Sequence, residues 1–295
     1  MRAFVFPGQG AQTIGMGKAL AEAYPAARAV FDEVDDALGE KLSSLIWDGE
    51  IETLTLTENA QPALMATSLA ALRALEAEGV GLDSVAYVAG HSLGEYSALC
   101  AAGAISLGDT ARLLRKRGLA MQAAVPVGEG AMAAVLGLDL AAVTALAADA
   151  AEGEVCVAAN DNDPAQVVIT GHAGAVALRL QVSAPGHSPL MAPAAEEMAV
   201  ALADVAVTAP KVPLVANVLA RDVSDPDEIR GLLVEQVTHS VRWRESVAWM
   251  AEQGVTETWE IGAGKALTGM VRRIAKDVAT RAVGTPEDVA AAVAG

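Results

Sequence analysis

At 295 residues the chain is long enough to bury a substantial core, in one large domain or two smaller ones. A formal net charge of −17 excludes a general grip on nucleic acid, which needs a basic face. Hydrophobic residues make up 53% but aromatics only 3%, so the core must be built from Ala, Val and Leu, and no apolar run is long enough to span a bilayer. Cys100 and Cys156 lack metal-ligand spacing; no metal centre is expected, and a reduced, cytoplasmic protein is.

The first strand is predicted over 3–6, because the opening apolar run breaks at Pro7-Gly8 and is too short for a signal peptide. The loop Pro7-Gly8-Gln9-Gly10-Ala11-Gln12 lacks the Gly-Lys-Ser/Thr ending of a P-loop and the spacing of a dinucleotide fingerprint. Its glycines suit a tight turn that presents Gln9 and Gln12 at a strand end. A helix is expected near 16–24, then helices and connections without chemical signal to 58. A long Ala/Leu helix follows to about 78, with Pro62 expected in its first turn and Gln61 as a cap or a site-facing residue.

An apolar strand over 84–89 then runs into Gly90-His91-Ser92-Leu93-Gly94 and a buried helix over 93–102. A strand turning into a helix at G-x-S-x-G is a nucleophile elbow. The glycines permit the tight turn, the serine oxygen stands exposed at the strand end, and the Leu93 N–H at the helix start faces a developing oxyanion.

The next helix starts at Ser106 or Asp109 and runs to about 124. Arg112, Arg115 and Lys116 share one side, whereas Arg117 shares its face with Leu113, Leu114, Ala120 and Met121. A buried arginine needs a partner. An internal carboxylate and the carboxylate of a ligand fit the spacing equally well. After a linker at 126–129, strands at 131–138, 155–159, 166–170 and 177–183 and a helix at 139–151 follow the β-α-β-β-(α)-β order of a ferredoxin-like unit. The turn Asn160-Asp-Asn-Asp-Pro164 joins the middle strands, and there is almost no room near Gly174 for the second helix.

Of four histidines, His91 should point away from the serine and His172 and His239 lie in polar, turn-like surroundings. His187, in Ala184-Pro-Gly-His-Ser-Pro189, follows a strand where an elbow enzyme keeps its base. A helix over 192–202, a strand over 212–218 with Asn217 near its end, a helix over 226–237 carrying Gln236, and a last core strand over 255–261 complete the reading. The last strand ends in Gly262-Ala-Gly-Lys265, which is not a P-loop. Alternating strands and helices give an α/β fold with a mainly parallel sheet. The large domain would comprise 1–126 and 184–295, with 127–183 as the inserted small subdomain.

Taken together, Pro7-Gly8-Gln9-Gly10-Ala11-Gln12, Gly90-His91-Ser92-Leu93-Gly94-Glu95-Tyr96, Arg117-Gly118 with Met121-Gln122, Gln166-Val-Val-Ile-Thr-Gly171, His187 and Gly262-Ala-Gly-Lys-Ala-Leu267 resemble the malonyl-CoA:acyl carrier protein transacylases of fatty-acid synthesis, and the related acyltransferase domains of polyketide synthases. The resemblance covers almost the whole chain. It implies an α/β-hydrolase-like large domain with a ferredoxin-like insertion and a cleft between them. It implies Ser92 as nucleophile, His187 as general base, Gln236 as the residue orienting the base through an amide carbonyl, Gln9 and the Leu93 N–H as oxyanion hole, Arg117 as partner of the malonyl carboxylate, and Asn160 lining the cleft. The substrates would be malonyl-CoA and acyl carrier protein, exchanged by ping-pong through a malonyl-serine ester, with no cofactor beyond the coenzyme A of the substrate. A monomer is expected, docking its acidic carrier on Arg112, Arg115, Lys116, Arg272 and Arg273.

Two departures stand out. The stretch from Gly171 to Leu180 is about one helix shorter than the family pattern, and Gly186 replaces a bulky residue, often Phe, that restricts the acyl α-carbon. The rival readings are a polyketide-type acyltransferase acting in trans on a different acyl-CoA, a serine thioesterase or esterase, and a carrier-binding module without activity. The esterase would need an acid between Ser92 and His187, for which Asp161 and Asp163 are the weak candidates.

Overall fold

The computed structural model describes residues 1–126, 128–176 and 184–295. Its strands, in chain order, are β1 (Arg2–Phe6), β2 (Tyr87–Gly90), β3 (Gly130–Leu136), β4 (Cys156–Asp163), β5 (Gln166–His172), β6 (Leu214–Val215), β7 (Asp222–Val223), β8 (Glu257–Ile261) and β9 (Ala279–Val283). Six form one sheet in the order β7-β6-β2-β1-β8-β9, parallel except for the edge pair β6–β7. The other three form an antiparallel sheet in the order β3-β5-β4.

The central strand β1 shows why the large sheet is covered on both faces. Phe4 and Phe6 pack into one apolar cluster, and the alternating Ala3 and Val5 into another. The first cluster is dominated by the helix Thr57–Ala77, buried along most of its length between the helices Pro25–Leu38 and Leu107–Ala124. The second is closed by the helices Trp243–Glu252 and Ala266–Ile274. Because Phe6 pairs in register with Gly90, the loops leaving β1 and β2 emerge side by side at the carboxyl end of the sheet. Ligands of open α/β sheets sit at this edge.

The small sheet matches the first three strands of a ferredoxin-like unit, with the helix Leu140–Ala151 packed on it. The strand expected over 177–183 lies outside the described residues. The expected turn at 160–163 is instead the end of β4, and the reversal falls on Pro164-Ala165. Apolar alternation fails there because these polar side chains clasp the large domain. Asp161 pairs with Arg244 at 2.8 Å, Asp163 pairs with Arg273 at 2.7 Å, and Asn162 Oδ1 lies 2.7 Å from His91 Nε2. Asn160 forms a bridge with Val241.

Three further expectations are corrected. Pro62 sits inside the helix Thr57–Ala77 rather than in its first turn. The Glu58 carbonyl, four residues upstream, therefore lacks its helical donor and accepts from Arg115 Nη1 at 2.7 Å instead. The strand at 212–218 shrinks to β6. The strand at 255–261 is not the last, since β9 extends the sheet beyond it.

Candidate active site

The elbow is confirmed in its local geometry. Ser92 adopts the left-handed region at φ 52°, between β2 and the helix Gly94–Ala101. A Cβ on Gly90 would stand 1.9 Å from the Gly94 carbonyl oxygen, and one on Gly94 would stand 2.2 Å from the Phe6 carbonyl oxygen. Both glycines are thus fixed by backbone packing. The Ser92 N–H donates to Asn217 Oδ1 at 2.9 Å, while Asn217 Nδ2 donates to the Gly90 carbonyl at 2.7 Å, so one side chain braces both sides of the turn.

His187 reaches this serine from a distant part of the chain. Its Nε2 lies 2.7 Å from Ser92 Oγ. Its Nδ1 lies 2.8 Å from the Gln236 carbonyl oxygen and 3.2 Å from that of His239. Carbonyls only accept, so Nδ1 carries the proton and Nε2 is left to accept from the serine hydroxyl. Burial, reinforced by the Arg117 charge, pushes the imidazole pKa down to about 3, and the ring is neutral near pH 7. Gln236 supplies its carbonyl from the C-terminus of the helix Pro226–Glu235. Asp161 and Asp163 are spent on Arg244 and Arg273 and take no part.

Arg117 is 1% exposed. Its helix lies close against Thr57–Ala77 because Gly118 follows it; a Cβ there would stand 2.4 Å from the Glu58 backbone. The guanidinium donates to Gln61 Oε1 at 2.7 Å, Gln236 Oε1 at 2.9 Å and Ser92 Oγ at 3.2 Å. Its Nε has no acceptor among the described residues. Among the described residues no carboxylate comes within 4.0 Å of it, so the internal ion pair left open by the sequence is absent.

Gln9 lines the same cavity, but its side chain is tied away, donating to the Thr55 carbonyl at 3.4 Å and accepting from Thr57 Oγ1 at 3.0 Å. The group it offers is its backbone N–H, which, like that of Leu93, meets no acceptor among the described residues. Gln12 instead accepts from the Gly10 N–H within an exposed turn. The cavity is about 320 Å³ and is walled by the large domain on one side and by Met132, Asn160 and Val168 of the small sheet on the other. Asn160 therefore lies where expected. At Gly186, an added Cβ would meet only the Met121 methyl, at 3.0 Å.

The basic cluster expected to dock a partner is largely neutralised. Arg112 pairs with Asp109, Arg115 with Glu40, Lys116 with Glu197 and Arg273 with Asp163. Sequence reading also passed over Glu95, Asn162 and the carbonyl of His239, and gave Asn217 no role. Their chemistry depends on which strand ends and loops meet, and no local spacing announces it.

Residues 3–285 match the acyl transferase domain family. A malonyl CoA-acyl carrier protein transacylase of Bacillus subtilis is 45% identical, with 99% of this chain and 96% of that protein covered. An acyl-carrier-protein-S-malonyltransferase of Bartonella henselae superposes with a TM-score of 0.97 at 55% identity, over 99% of this chain and 98% of that one. A malonyl-transacylase solved in complex with its type II PKS acyl-carrier protein superposes at 0.96 with 39% identity, each chain being 99% covered. The Bacillus match extends over 306 positions, more than the 295 residues present here, so that relative carries residues this chain lacks. With its nucleophile elbow, histidine and unpaired guanidinium in one cleft, the chain belongs to the malonyl CoA-acyl carrier protein transacylases, within the acyl transferase family.

Proposed function

We propose that the protein moves a malonyl group from malonyl-CoA to the phosphopantetheine thiol of an acyl carrier protein, by ping-pong through an ester on Ser92. His187 Nε2 takes the serine proton as Oγ attacks the thioester carbonyl. The backbone N–H groups of Gln9 and Leu93 receive the tetrahedral oxyanion, a contribution of about 10²–10³ in rate per donor in other enzymes. The imidazolium returns its proton to the departing coenzyme A sulfur. The carrier thiol then attacks the ester, with His187 again as base, and Ser92 is regenerated. Neither half-reaction requires a metal or cofactor beyond the coenzyme A of the substrate.

The observation that carries this reading is the guanidinium of Arg117, buried, without a carboxylate partner among the described residues, 3.2 Å from Ser92 Oγ. A malonyl ester on Ser92 would bring its own free carboxylate to that cation, and two parallel hydrogen bonds would hold it. An esterase has no use for such a group, and among the described residues the partners behind the base are carbonyls rather than an acid. The carrier would enter over the cleft between the six-stranded domain, 1–126 with 184–295, and the small subdomain, 127–183. Fatty-acid synthesis in the cytoplasm is the setting this chemistry serves. No helix in the described residues is long and apolar enough to cross a membrane.

Intact-protein mass spectrometry after mixing with malonyl-CoA tests the proposal. The expected result is one malonyl adduct on the Ser92 peptide that persists in buffer and disappears when carrier thiol is added. Ser92→Ala should carry none. Rapid loss of the adduct to water would make the protein a thioesterase; no adduct at all would make it a binding module.

A further inference from the structure

One buried carboxylate behind the elbow has no part in the chemistry above. Glu95, on the first turn of the helix after the elbow, is 1% exposed. One oxygen accepts from the backbone N–H of Asn217 at 2.9 Å and the other from Gln236 Nε2 at 2.5 Å. The far end of the same amide, Gln236 Oε1, accepts from Arg117 Nη2 at 2.9 Å. The Gln236 side chain thus lies between an anion and a cation. A carboxylate only accepts and a guanidinium only donates, so an amide between them has a single satisfactory orientation. That orientation also aims Gln236 Nε2 at the Ser92 carbonyl, 2.9 Å away.

We infer that Glu95 is a positioning residue: its carboxylate locks the Gln236 amide so that the amide oxygen holds Arg117 in place to receive the acyl carboxylate. The inference rests on the reading of Arg117 given above. Without the carboxylate at position 95, Gln236 Nε2 loses its charged acceptor and keeps only the Ser92 carbonyl and Asn217 Oδ1, so the amide oxygen is held less firmly against the guanidinium. One of the two side-chain carbonyl acceptors of Arg117 is then loosely held while Gln61 stays in place, and the guanidinium is less well fixed at the acyl position. Burial raises the Glu95 pKa to about 7, with the charge of Arg117 opposing, so the lock is itself sensitive to protonation near neutral pH. The charged and titratable groups facing it are Arg117, from the helix Leu107–Ala124, and Tyr96 beside it on its own helix, whose phenol burial pushes up to about 12.

The test is single-turnover acylation of Ser92 with malonyl-CoA and with acetyl-CoA, which lacks the carboxylate. Glu95→Gln should slow malonyl loading about tenfold to a hundredfold, the range for losing a hydrogen bond to a buried charge, and slow acetyl loading less than about threefold. In a Gln236→Ala background, which keeps the carbonyl that holds His187, adding Glu95→Gln should change malonyl loading less than about twofold. Equal losses on both substrates, or additive losses in the double variant, would overturn the inference. Arg117→Ala, measured alongside, separates it from the reading beneath. If Arg117→Ala discriminates between the substrates and Glu95→Gln does not, only the role of Glu95 fails. If Arg117→Ala does not discriminate either, both fall. Should Glu95→Gln not fold, the unaltered protein still decides: its malonyl-to-acetyl ratio of kcat/KM should fall as pH is lowered through about 7, and a flat or rising ratio overturns the proposal.

Discussion

Ser92 and His187 illustrate how environment sets chemistry residue by residue. Both stand in the left-handed backbone region, at φ 52° and 58°. Such strain costs on the order of 1–3 kcal/mol per residue and persists where packing over-determines it. Around the histidine, two carbonyl oxygens fix the tautomer, and burial with the Arg117 charge holds the pKa at about 3. A base depressed that far stays neutral throughout the range above pH 5. Acetyl transfer, which does not need the Arg117 carboxylate site, should therefore show a kcat/KM with no acidic limb between pH 5 and 8. A limb near pH 6.5 in a pH–rate profile would mean a ring open to solvent. The glutamine behind the base is multiply engaged as well: its carbonyl serves His187, its amide oxygen Arg117 and its NH2 group Glu95. Substituting it with Ala should spare the first contact and lose the other two.

The elbow works as an element because β2 ends against β1 and the helix Gly94–Ala101 starts at once. Gly94 lies so near the Phe6 carbonyl that any side chain must push the start of the helix off the end of β1. Gly94→Ala should destabilise by on the order of 3 kcal/mol or more, read from denaturant midpoints, and should lower acylation by displacing the Leu93 N–H. The long helices show the complementary case. Gly118 brings two backbones together so that Arg117 crosses under the elbow, and Arg115 repairs the carbonyl freed by Pro62. A proline inside a helix is tolerated here because a side chain from the neighbouring helix meets its cost. From the sequence alone, Pro62 read as a first-turn residue, since nothing nearby in the chain marks the helix as starting at Thr57.

Across the whole molecule, the polar end of β4 joins the small sheet to the large one. Asp161 is 1% exposed, and burial raises its pKa even though Arg244 lies against it. Burial thus outweighs the attraction, and the pair contributes fit between the two parts more than stability. Arg244→Ala should cost about 2 kcal/mol, allowing for solvent at the partly exposed guanidinium, because it strands the aspartate. Adding Asp161→Asn should recover most of that loss, as an unfolding double-mutant cycle would measure. A cycle in which the two losses simply add would remove the ion pair from the joint.

The sequence determined what is local. The G-x-S-x-G turn, the apolar stripe around Arg117, each strand or helix and each family motif is built from residues within a few positions of one another. Steric limits and periodicity act over that range, and Ser92, His187, Arg117, Gln236 and Asn160 were named from them and from the resemblance they support. Only the tertiary structure decided what depends on long-range closure. It showed that Gln9 can offer its backbone N–H but not its amide, and that most of the expected docking arginines are already paired. It also brought Asn217 and Glu95 behind the elbow. The pairing of Arg112 with Asp109 is local, three residues apart on one helix, but the outcomes around Ser92 are set by which strand ends and loops meet at the carboxyl edge of the sheet, between residues as far apart as 92 and 236, and no spacing along the chain encodes that meeting.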